Sequence, residues 1–363
     1  MRKRPSSPRG QLVTLRHDSR ILADNPLGDP HERDLPVWLP PGYRATGKRH
    51  YPVLFDLTGF TGAGPAHVGW KAFDENVPER LERLTATKHI GPMIVVFPDC
   101  FTSLGGNQYI NSTAIGAYAD YLTRELIPAV DREFATHADR DHRGCFGKSS
   151  GGYGAMLHGM RYARHWGAIA NHSGDAYFDF VYRSEWPGVL TELTRFREPR
   201  RRQGSYELTQ EQKGRTPGED DGRVRRFLDS FFARKNPGGK DIMVVMMLCM
   251  AASYDPDPKA PNGFRLPFDL ESGEFLPQRW RRWLNHDPVR LVGRYAKNLR
   301  TLRGIFIDCG WQDQYHIHFG SRQLSAGLTR HGIEHRYEEF PDNHSGIDYR
   351  MDESLPYLYR ALR

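Results

Sequence analysis

The chain has 363 residues, of which 38% are hydrophobic and 26% charged, a balance typical of a folded globular protein and unlike an intrinsically disordered one. Its formal net charge is +7. The longest apolar run, Ile242 to Ala252, is much shorter than the roughly 18 residues that a membrane span needs, so we expect no membrane partner.

Positive charge is concentrated near the amino terminus. The segment lacks the apolar core of a secretory signal, and no basic stripe interleaved with aromatic residues, typical of nucleic-acid binding, occurs elsewhere. We therefore expect residues 1–10 to be a flexible solvated tail and no nucleic-acid partner, with polyanion binding as the alternative. The basic residues that set this expectation are Arg2, Lys3, Arg4, Arg9, Arg16 and Arg20, together with a second cluster at Arg200, Arg201 and Arg202.

The four cysteines form no CxxC pair and show no metal-ligand spacing. Most lie in apolar stretches, at Cys100, Cys145, Cys249 and Cys309. We expect buried free thiols, no bound metal and a cytoplasmic location, because a reducing cytosol keeps such thiols unpaired.

Strand and helix patterns alternate on both sides of a polar region. The first part predicts extended segments near 11–22 and 33–39, strands at 51–57, 92–98, 142–147 and 166–171, and helices at 78–89, 114–135 and 151–164. The second part predicts strands at 302–308 and 335–340 and helices at 287–300, 318–331 and 348–362. This alternation indicates an α/β fold with one mostly parallel sheet and helices on both faces.

The polar region interrupts that alternation after the sixth predicted strand. We assign residues 11–176 and 286–363 to the two parts of the core, and residues 177–285 to a cap insertion. Within the insertion, Met243, Met246, Met247 and Met250 predict either an adaptable apolar wall or a buried core helix.

A glycine-flanked serine lies at the junction of a predicted strand and a predicted helix. Residues 147–151 (GKSSG) fit the pattern G-x-S-x-G, the sharp turn that exposes a nucleophilic serine at the edge of a sheet. Such a turn is strained and needs small neighbours, which Gly147 and Gly151 provide. The motif predicts Ser149 as a nucleophile. Ser150 is the alternative, but it lacks a glycine two residues before it.

A serine hydroxyl needs a neighbouring base, and histidine is the usual one near neutral pH. His344 follows the last predicted strand in a polar loop, which places it at the carboxyl edge of the sheet. The carboxylate that orients the imidazole should follow the preceding strand. We predict Asp313, which lies beyond a turn glycine, with Asp308 at the strand end as the alternative.

A second glycine-rich loop, residues 58–62 (TGFTG), follows the strand predicted at 51–57. A loop at this place can point a backbone N–H at a carbonyl oxygen, and the residue after the nucleophile supplies a second N–H at a helix N-terminus. We predict Phe60 and Ser150 as the two oxyanion-hole donors, with Thr61 as the alternative to Phe60.

Several aromatic side chains lie near the same edge in the predicted topology. We expect a substrate pocket formed by Trp70, Phe101, Tyr109 and Trp311, with Phe60 and Tyr315 as further lining candidates.

Four segments together resemble the putative esterase family related to esterase D, a branch of the α/β-hydrolase superfamily. They are residues 97–112 (FPDCFTSLGGNQYINS), 147–155 (GKSSGGYGA), 307–315 (IDCGWQDQY) and 337–346 (YEEFPDNHSG). The resemblance spans most of residues 35–362 and is weakest in the middle of the insertion. The family includes S-formylglutathione hydrolases, enterochelin-esterase-like proteins, feruloyl esterases and mycolyltransferases.

The resemblance implies an α/β-hydrolase fold and hydrolysis of carboxylic esters through Ser149, Asp313 and His344. The chain departs from the family pattern in its basic N-terminal tail and long cap, which are not general features of the family, and at two places in its motifs. Thr58-Gly59 stands where a His-Gly pair is usual in the oxyanion loop, and Lys148 stands where histidine or glutamine commonly precedes the serine.

The sequence therefore favours a serine carboxylesterase that forms an acyl-enzyme on Ser149 and needs no cofactor. Its expected substrate is a small-molecule ester of the feruloyl or aryl, short-chain acyl or siderophore type. Two alternatives remain: acyl transfer to a sugar or lipid hydroxyl on the same fold, and a non-catalytic scaffold that binds polyanions. The sequence leaves the oligomeric state open, a homo-oligomer included.

Overall fold

A computed structural model describes residues 9–197 and 218–363 of the chain. Most of the predicted basic tail and the whole of the Arg200–Arg202 cluster lie outside these residues.

The core of the structure is one eight-stranded sheet. Its strands are β1 (Gln11–Asp18), β2 (Glu32–Leu39), β3 (Val53–Leu57), β4 (Ile94–Val96), β7 (Arg143–Lys148), β8 (Ala168–His172), β9 (Gly304–Gly310) and β10 (Arg336–Phe340). They lie in the order β1-β2-β4-β3-β7-β8-β9-β10. Strand β2 pairs antiparallel with β1 and with β4, and the strands from β4 to β10 are parallel to one another. A separate short hairpin joins β5 (Asn111–Ser112) and β6 (Gly116–Ala117).

The central strands are buried on both faces, which explains their continuous apolar sequences. In β3, Val53 and Phe55 belong to one apolar cluster while Leu54 belongs to another. Since side chains alternate along a strand, the two clusters cover opposite faces of the sheet. The mixed α/β architecture with a mainly parallel sheet, expected from the sequence, is confirmed.

Helices cover both faces. On one face lie Tyr118–Asp120 (α3), Ile127–Glu133 (α4), Ser150–Arg161 (α5), Pro288–Leu299 (α11) and Ile317–Arg330 (α12), and on the other Val77–Ala86 (α2) and Met351–Leu362 (α13). A short helix, α1, spans Gly64–Val68, and a π-helical stretch, Tyr121–Leu126, joins α3 to α4. The predicted boundaries shift by a few residues, most at the helix expected over 114–135, whose first residues form the β6 hairpin strand instead.

The segment between β8 and β9 contains most of the remaining helices. They are α6 (Phe178–Val181), α7 (Trp186–Thr194), α8 (Arg223–Ala233), α9 (Gly239–Tyr254) and α10 (Pro277–Leu284). Helix α9 contains the methionine-rich run, and it packs against α7 and β5. Met247, Leu248 and Met250 of α9 are fully buried in the same apolar cluster as one face of the sheet.

The four cysteines are buried and unpaired, which confirms the prediction of free thiols. None of the helices in residues 9–197 and 218–363 combines the length and the apolar character that a membrane crossing requires.

Candidate active site

The turn between β7 and α5 holds Ser149 in a strained backbone conformation. Its φ is 57° and its ψ is −124°, values that a residue with a side chain rarely adopts and that are often found at functional sites. The Ser149 N–H donates to the His172 carbonyl at 3.0 Å, which ties the turn to the neighbouring strand β8. The sequence between a buried strand and a helix therefore forms the sharp turn that its glycines predict.

The two flanking glycines are required by close backbone contacts. A Cβ atom on Gly147 would lie 2.1 Å from the Leu57 carbonyl oxygen, and one on Gly151 would lie 1.8 Å from the same oxygen. No larger residue fits at either position without moving β3 or the start of α5. The turn is thus clamped against the end of β3, where the second glycine-rich loop begins.

The loops after β9 and β10 bring the predicted base and acid together. His344 Nδ1 and Asp313 Oδ2 are hydrogen-bonded at 2.7 Å, and both side chains are buried. The other Asp313 oxygen accepts from the Tyr315 N–H at 2.9 Å, and the His344 N–H donates to Gln314 Oε1 at 3.0 Å. These contacts fix the carboxylate and direct the remaining ring nitrogen of His344 away from Asp313.

The alternative acid, Asp308, is already engaged elsewhere. One of its oxygens is 2.6 Å from His172 Nδ1, and the other accepts from Arg350 Nε at 2.8 Å. His172 Nε2 in turn lies 2.8 Å from Ser354 Oγ. Asp308 therefore belongs to a buried network that joins β8, β9 and α13, and the geometry favours Asp313 as the partner of His344.

Ser149 and His344 line one cavity of about 590 Å³ at the carboxyl edge of the sheet. Within the described residues, no hydrogen bond joins Ser149 Oγ to His344. Such bonds are often long in a site without substrate and shorten when substrate binds. We therefore assign Ser149 and His344 to one site because both line the same cavity.

The proposed oxyanion-hole donors lie beside Ser149. Phe60, Thr61 and Ser150 all line the cavity, and in the described part of the chain none of their backbone N–H groups donates to a protein acceptor. The Ser150 hydroxyl is buried and accepts from Gln108 Nε2 at 2.8 Å. Ser150 can therefore offer its N–H to the cavity but not its hydroxyl.

The aromatic pocket expected from the sequence requires correction, because Trp70, Phe101, Tyr109 and Trp311 are not among the residues that line the cavity. Trp70 is 78% exposed and Trp311 is 46% exposed. Phe101 is 41% exposed, and Tyr109 is buried beneath the oxyanion loop, where its hydroxyl donates to the Thr58 carbonyl at 2.7 Å. Closeness in sequence to the sheet edge did not determine where these side chains point.

Other residues form the walls of the cavity. Phe60 and Tyr315 line it, as the sequence suggested, and the insertion contributes a mostly apolar wall of Val181, Tyr182, Ile242, Met243 and Met246. Helix α9 thus fulfils both sequence interpretations, with one face buried and another face on the cavity.

Sequence reasoning missed Asp175, a buried carboxyl in the cavity wall. Its Oδ2 accepts from the Tyr182 hydroxyl at 2.6 Å, and the Tyr182 and Tyr254 hydroxyls are 3.2 Å apart. Burial raises the pKa of Asp175 to about 6. Its place just after β8, at the carboxyl edge of a parallel sheet, is the signal that could have identified it.

A further set of residues that line the cavity, called here the charged lobe, consists of Asp56, His67, Lys148 and Asp348. His67 Nδ1 lies 2.6 Å from Asp56 Oδ2. Burial alone would lower the pKa of His67, but the Asp56 carboxylate outweighs burial and raises it. Asp348 is paired with Lys71, whose hydrogen bond and charge outweigh burial and lower the pKa of the Asp348 carboxyl. Ion pairs therefore hold this wall in place.

A group that could hold a metal ion lies elsewhere, in the segment that precedes β7. His137, Asp139 and His142 each place one possible ligand atom within 4.8 Å of the others. The Asp139 carboxylate already accepts from the backbone N–H groups of Asp141 and His142, so its contacts have a structural explanation.

Comparisons with known proteins agree on one group of enzymes. Residues 30–352 match the family described as "Putative esterase". Esterase Rv1288 and Esterase MT1326, both of Mycobacterium tuberculosis, are 32% identical over 146 residues, which is 39% of this chain and 28% of each of those proteins. The match thus spans little more than a quarter of the length of these curated relatives.

Solved structures show the same architecture over nearly the whole chain. A ferulic acid esterase has a TM-score of 0.57 at 17% identity, covering 98% of this chain and 99% of its own. An S-formylglutathione hydrolase from Staphylococcus aureus has a TM-score of 0.54 at 13% identity, covering 96% and 99%. At these identities the likeness establishes the fold, and the expected α/β-hydrolase fold is confirmed.

Proposed function

Because this chain belongs to the putative esterase family, we propose that it hydrolyses carboxylic esters of small molecules with Ser149 as its nucleophile. The observation that carries the proposal is the hydrogen bond of 2.7 Å between His344 and Asp313 at the cavity that also contains the strained Ser149. Three distant parts of the chain contribute these residues, which supports a serine, a histidine and an aspartate acting together as in a serine hydrolase.

In the first half of the proposed reaction, Ser149 Oγ attacks the ester carbonyl carbon, and His344 Nε2 takes the hydroxyl proton. Asp313 accepts the Nδ1 proton of His344 in a hydrogen bond, which fixes the tautomer and stabilises the imidazolium. The Phe60 and Ser150 N–H groups donate to the oxyanion. When the tetrahedral intermediate collapses, the bond to the alcohol oxygen breaks and His344 donates its proton to that oxygen.

In the second half, water attacks the acyl carbon of the acyl-enzyme while His344 accepts a proton from it. The same two N–H groups stabilise the second oxyanion, a contribution worth about 3 kcal/mol for a single donor in comparable enzymes. The bond to Ser149 Oγ then breaks, the proton returns to the serine, and the carboxylic acid leaves.

We propose a substrate with an apolar or aromatic part of moderate size. The cavity of about 590 Å³ falls in the usual range for small-molecule sites. The apolar wall from the insertion and the rings of Phe60 and Tyr315 suit an aryl or short acyl group. The similarity to a ferulic acid esterase supports this class.

The direct test is to replace Ser149 with alanine and measure turnover of p-nitrophenyl acetate. We expect kcat/KM to fall by about 10⁴-fold or more, since loss of a nucleophilic serine removes the covalent pathway. Covalent labelling by a fluorophosphonate probe should disappear together with turnover. A variant that keeps either activity would contradict the assignment of Ser149.

Two further variants serve as controls. Ser103→Ala changes an exposed serine away from the cavity and should match the wild type in turnover. Ser150→Ala keeps the backbone N–H and should retain fluorophosphonate labelling, whereas loss of labelling in that variant would favour Ser150 as the nucleophile. Added acceptor alcohols, with product analysis, measure how much of the acyl-enzyme transfers its acyl group instead of being hydrolysed.

A further inference from the structure

The side chain of Lys148 can contact a ligand that binds in the cavity. It is the last residue of β7, directly precedes Ser149, is half-buried and lines the cavity beside the proposed nucleophile. Its backbone is fixed in the sheet opposite His172. The side chain therefore starts from a rigid position next to the site of attack.

The other charged side chains of the charged lobe are paired, but Lys148 is not. His67 is bonded to Asp56 and Lys71 is bonded to Asp348. Among the described residues, no carboxylate oxygen lies within 4.0 Å of the Lys148 ammonium group. Asp348 and Asp313 attract its ammonium group only from longer range, and Lys71 repels it.

Lys148 itself favours an anion, because it is half-buried in the cavity wall and, within the described residues, has no carboxylate in direct contact. Lys71 also lies 3.8 Å from Asp74, so with His67 protonated the three cations His67, Lys71 and Lys148 are matched by the three carboxylates of Asp56, Asp74 and Asp348. Burial lowers the pKa of the Lys148 ammonium because removing an unpaired cation from water is costly. An anionic group on a ligand would compensate for that cost.

We propose that Lys148 binds an anionic group of the substrate, so that the site prefers esters that carry a carboxylate near the scissile bond. The apolar wall from the insertion then holds the uncharged part, while the charged lobe holds the anion. This inference rests on the proposed esterase function and specifies its substrate class.

A competing arrangement lies within the protein. Asp56 Oδ1 is buried without a hydrogen-bond partner in the described residues, so the Lys148 ammonium could move to this oxygen and form an internal ion pair. In that case Lys148 would stabilise the wall and would not distinguish charged from neutral substrates. The experiment has to separate these two roles.

The test uses pairs of esters of equal size that differ only in charge. For an anion on the alcohol side, para-acetoxybenzoate is compared with para-acetoxybenzamide. For an anion on the acyl side, the mono-p-nitrophenyl ester of adipic acid is compared with the p-nitrophenyl ester of adipamic acid. For each pair, the ratio of kcat/KM for the anionic ester to kcat/KM for the neutral ester is measured in the wild type and in Lys148→Gln.

We expect Lys148→Gln to lower this ratio about tenfold or more in at least one pair, as for loss of a hydrogen bond to a charged group. Lys148→Arg should keep most of the preference because it keeps the charge. Lys297→Gln, which removes an exposed lysine of α11, makes the same change in net charge and should leave the ratio as in the wild type.

If Lys148→Gln leaves the ratio unchanged in both pairs, the proposal is overturned. This includes the case in which kcat/KM falls by the same factor for both esters of a pair. Product binding provides a readout that does not depend on turnover. In calorimetry, the wild type should bind the more anionic product of the pair that shows the preference more tightly than its matched product, para-hydroxybenzoate against para-hydroxybenzamide or adipate against adipamate. Lys148→Gln should lose that difference. Absence of hydrolysis with charge-dependent binding would contradict the esterase function alone, and hydrolysis without any charge preference would contradict the role of Lys148 alone.

Discussion

Three carboxyl groups near the carboxyl edge of the sheet have different roles, which their hydrogen-bond partners and burial determine. Asp313 accepts from His344, and Asp308 is held between His172 and Arg350. Asp175 accepts from the Tyr182 hydroxyl, but burial outweighs its hydrogen bonds and raises its pKa to about 6. The residue type is the same in each case, and the partners decide the role.

The raised pKa of Asp175 has a consequence for stability. The folded protein holds this proton more tightly than the unfolded chain, whose aspartate pKa is about 3.9. The stability that the protonated carboxyl contributes is therefore present at low pH and is lost as pH rises through about 6. With these two pKa values, the free energy of unfolding should fall by about 1 kcal/mol between about pH 5 and about pH 8 from this group alone.

Asp175→Asn should remove that part of the pH dependence, since the amide oxygen can still accept from Tyr182 but does not ionise. Urea unfolding at the two pH values measures the difference between the variant and the wild type. Asp24→Asn, at an exposed position, is the control and should follow the wild type. If the free energy of unfolding of Asp175→Asn varies with pH as in the wild type, the pKa of Asp175 is not raised in the folded protein.

At the scale of elements, the turn between β7 and α5 depends on close contact between its own backbone and the backbone of β3. Gly151, the second residue of α5, lies so close to β3 that a side chain there would overlap the Leu57 carbonyl. The contact holds the start of the helix against the sheet and so fixes the conformation of Ser149. Sequence reasoning found this element because the steric demand of the turn appears directly as glycine in the motif.

Gly151→Ala should therefore destabilise the protein by about 1–3 kcal/mol or more, as expected for an overpacked site, and should lower esterase activity as the turn shifts. Gly188→Ala is a matched control in helix α7, where a new Cβ would meet nothing within 4 Å. It should be neutral or stabilise by up to about 1 kcal/mol. The free energies of unfolding of the two variants are measured and compared with that of the wild type. Equal changes in the two variants would contradict the steric argument.

At the scale of the whole molecule, the insertion and the sheet share one apolar cluster. Leu248 and Met250 of α9 belong to the cluster that also contains Phe55 of β3 and Leu157 of α5. The boundaries at residues 176 and 285 remain a prediction. The continuous apolar contact favours an insertion that depends on the core for its stability.

Leu248→Ala should lower the free energy of unfolding by about 2–5 kcal/mol, the usual cost of a cavity at a fully buried leucine. If the insertion and the core unfold together, circular dichroism and tryptophan fluorescence should report one coincident transition in this variant. Leu12→Ala, at a position that is 46% exposed, should change stability little. A separate early transition in Leu248→Ala would mean that the insertion unfolds independently.

The sequence by itself determined the α/β architecture, the turn at Ser149 and the positions of His344 and Asp313 in the loops after the last two strands. These features can be recognised in short stretches of the sequence, from apolar periodicity and glycine spacing, and from the order of those stretches along the chain. Only the tertiary structure decided that Trp70 and Trp311 lie away from the cavity. It also revealed Asp175 and the pairing of His67 with Asp56. The physical reason is that the direction and partners of a side chain depend on residues far away in the chain, which no local pattern encodes.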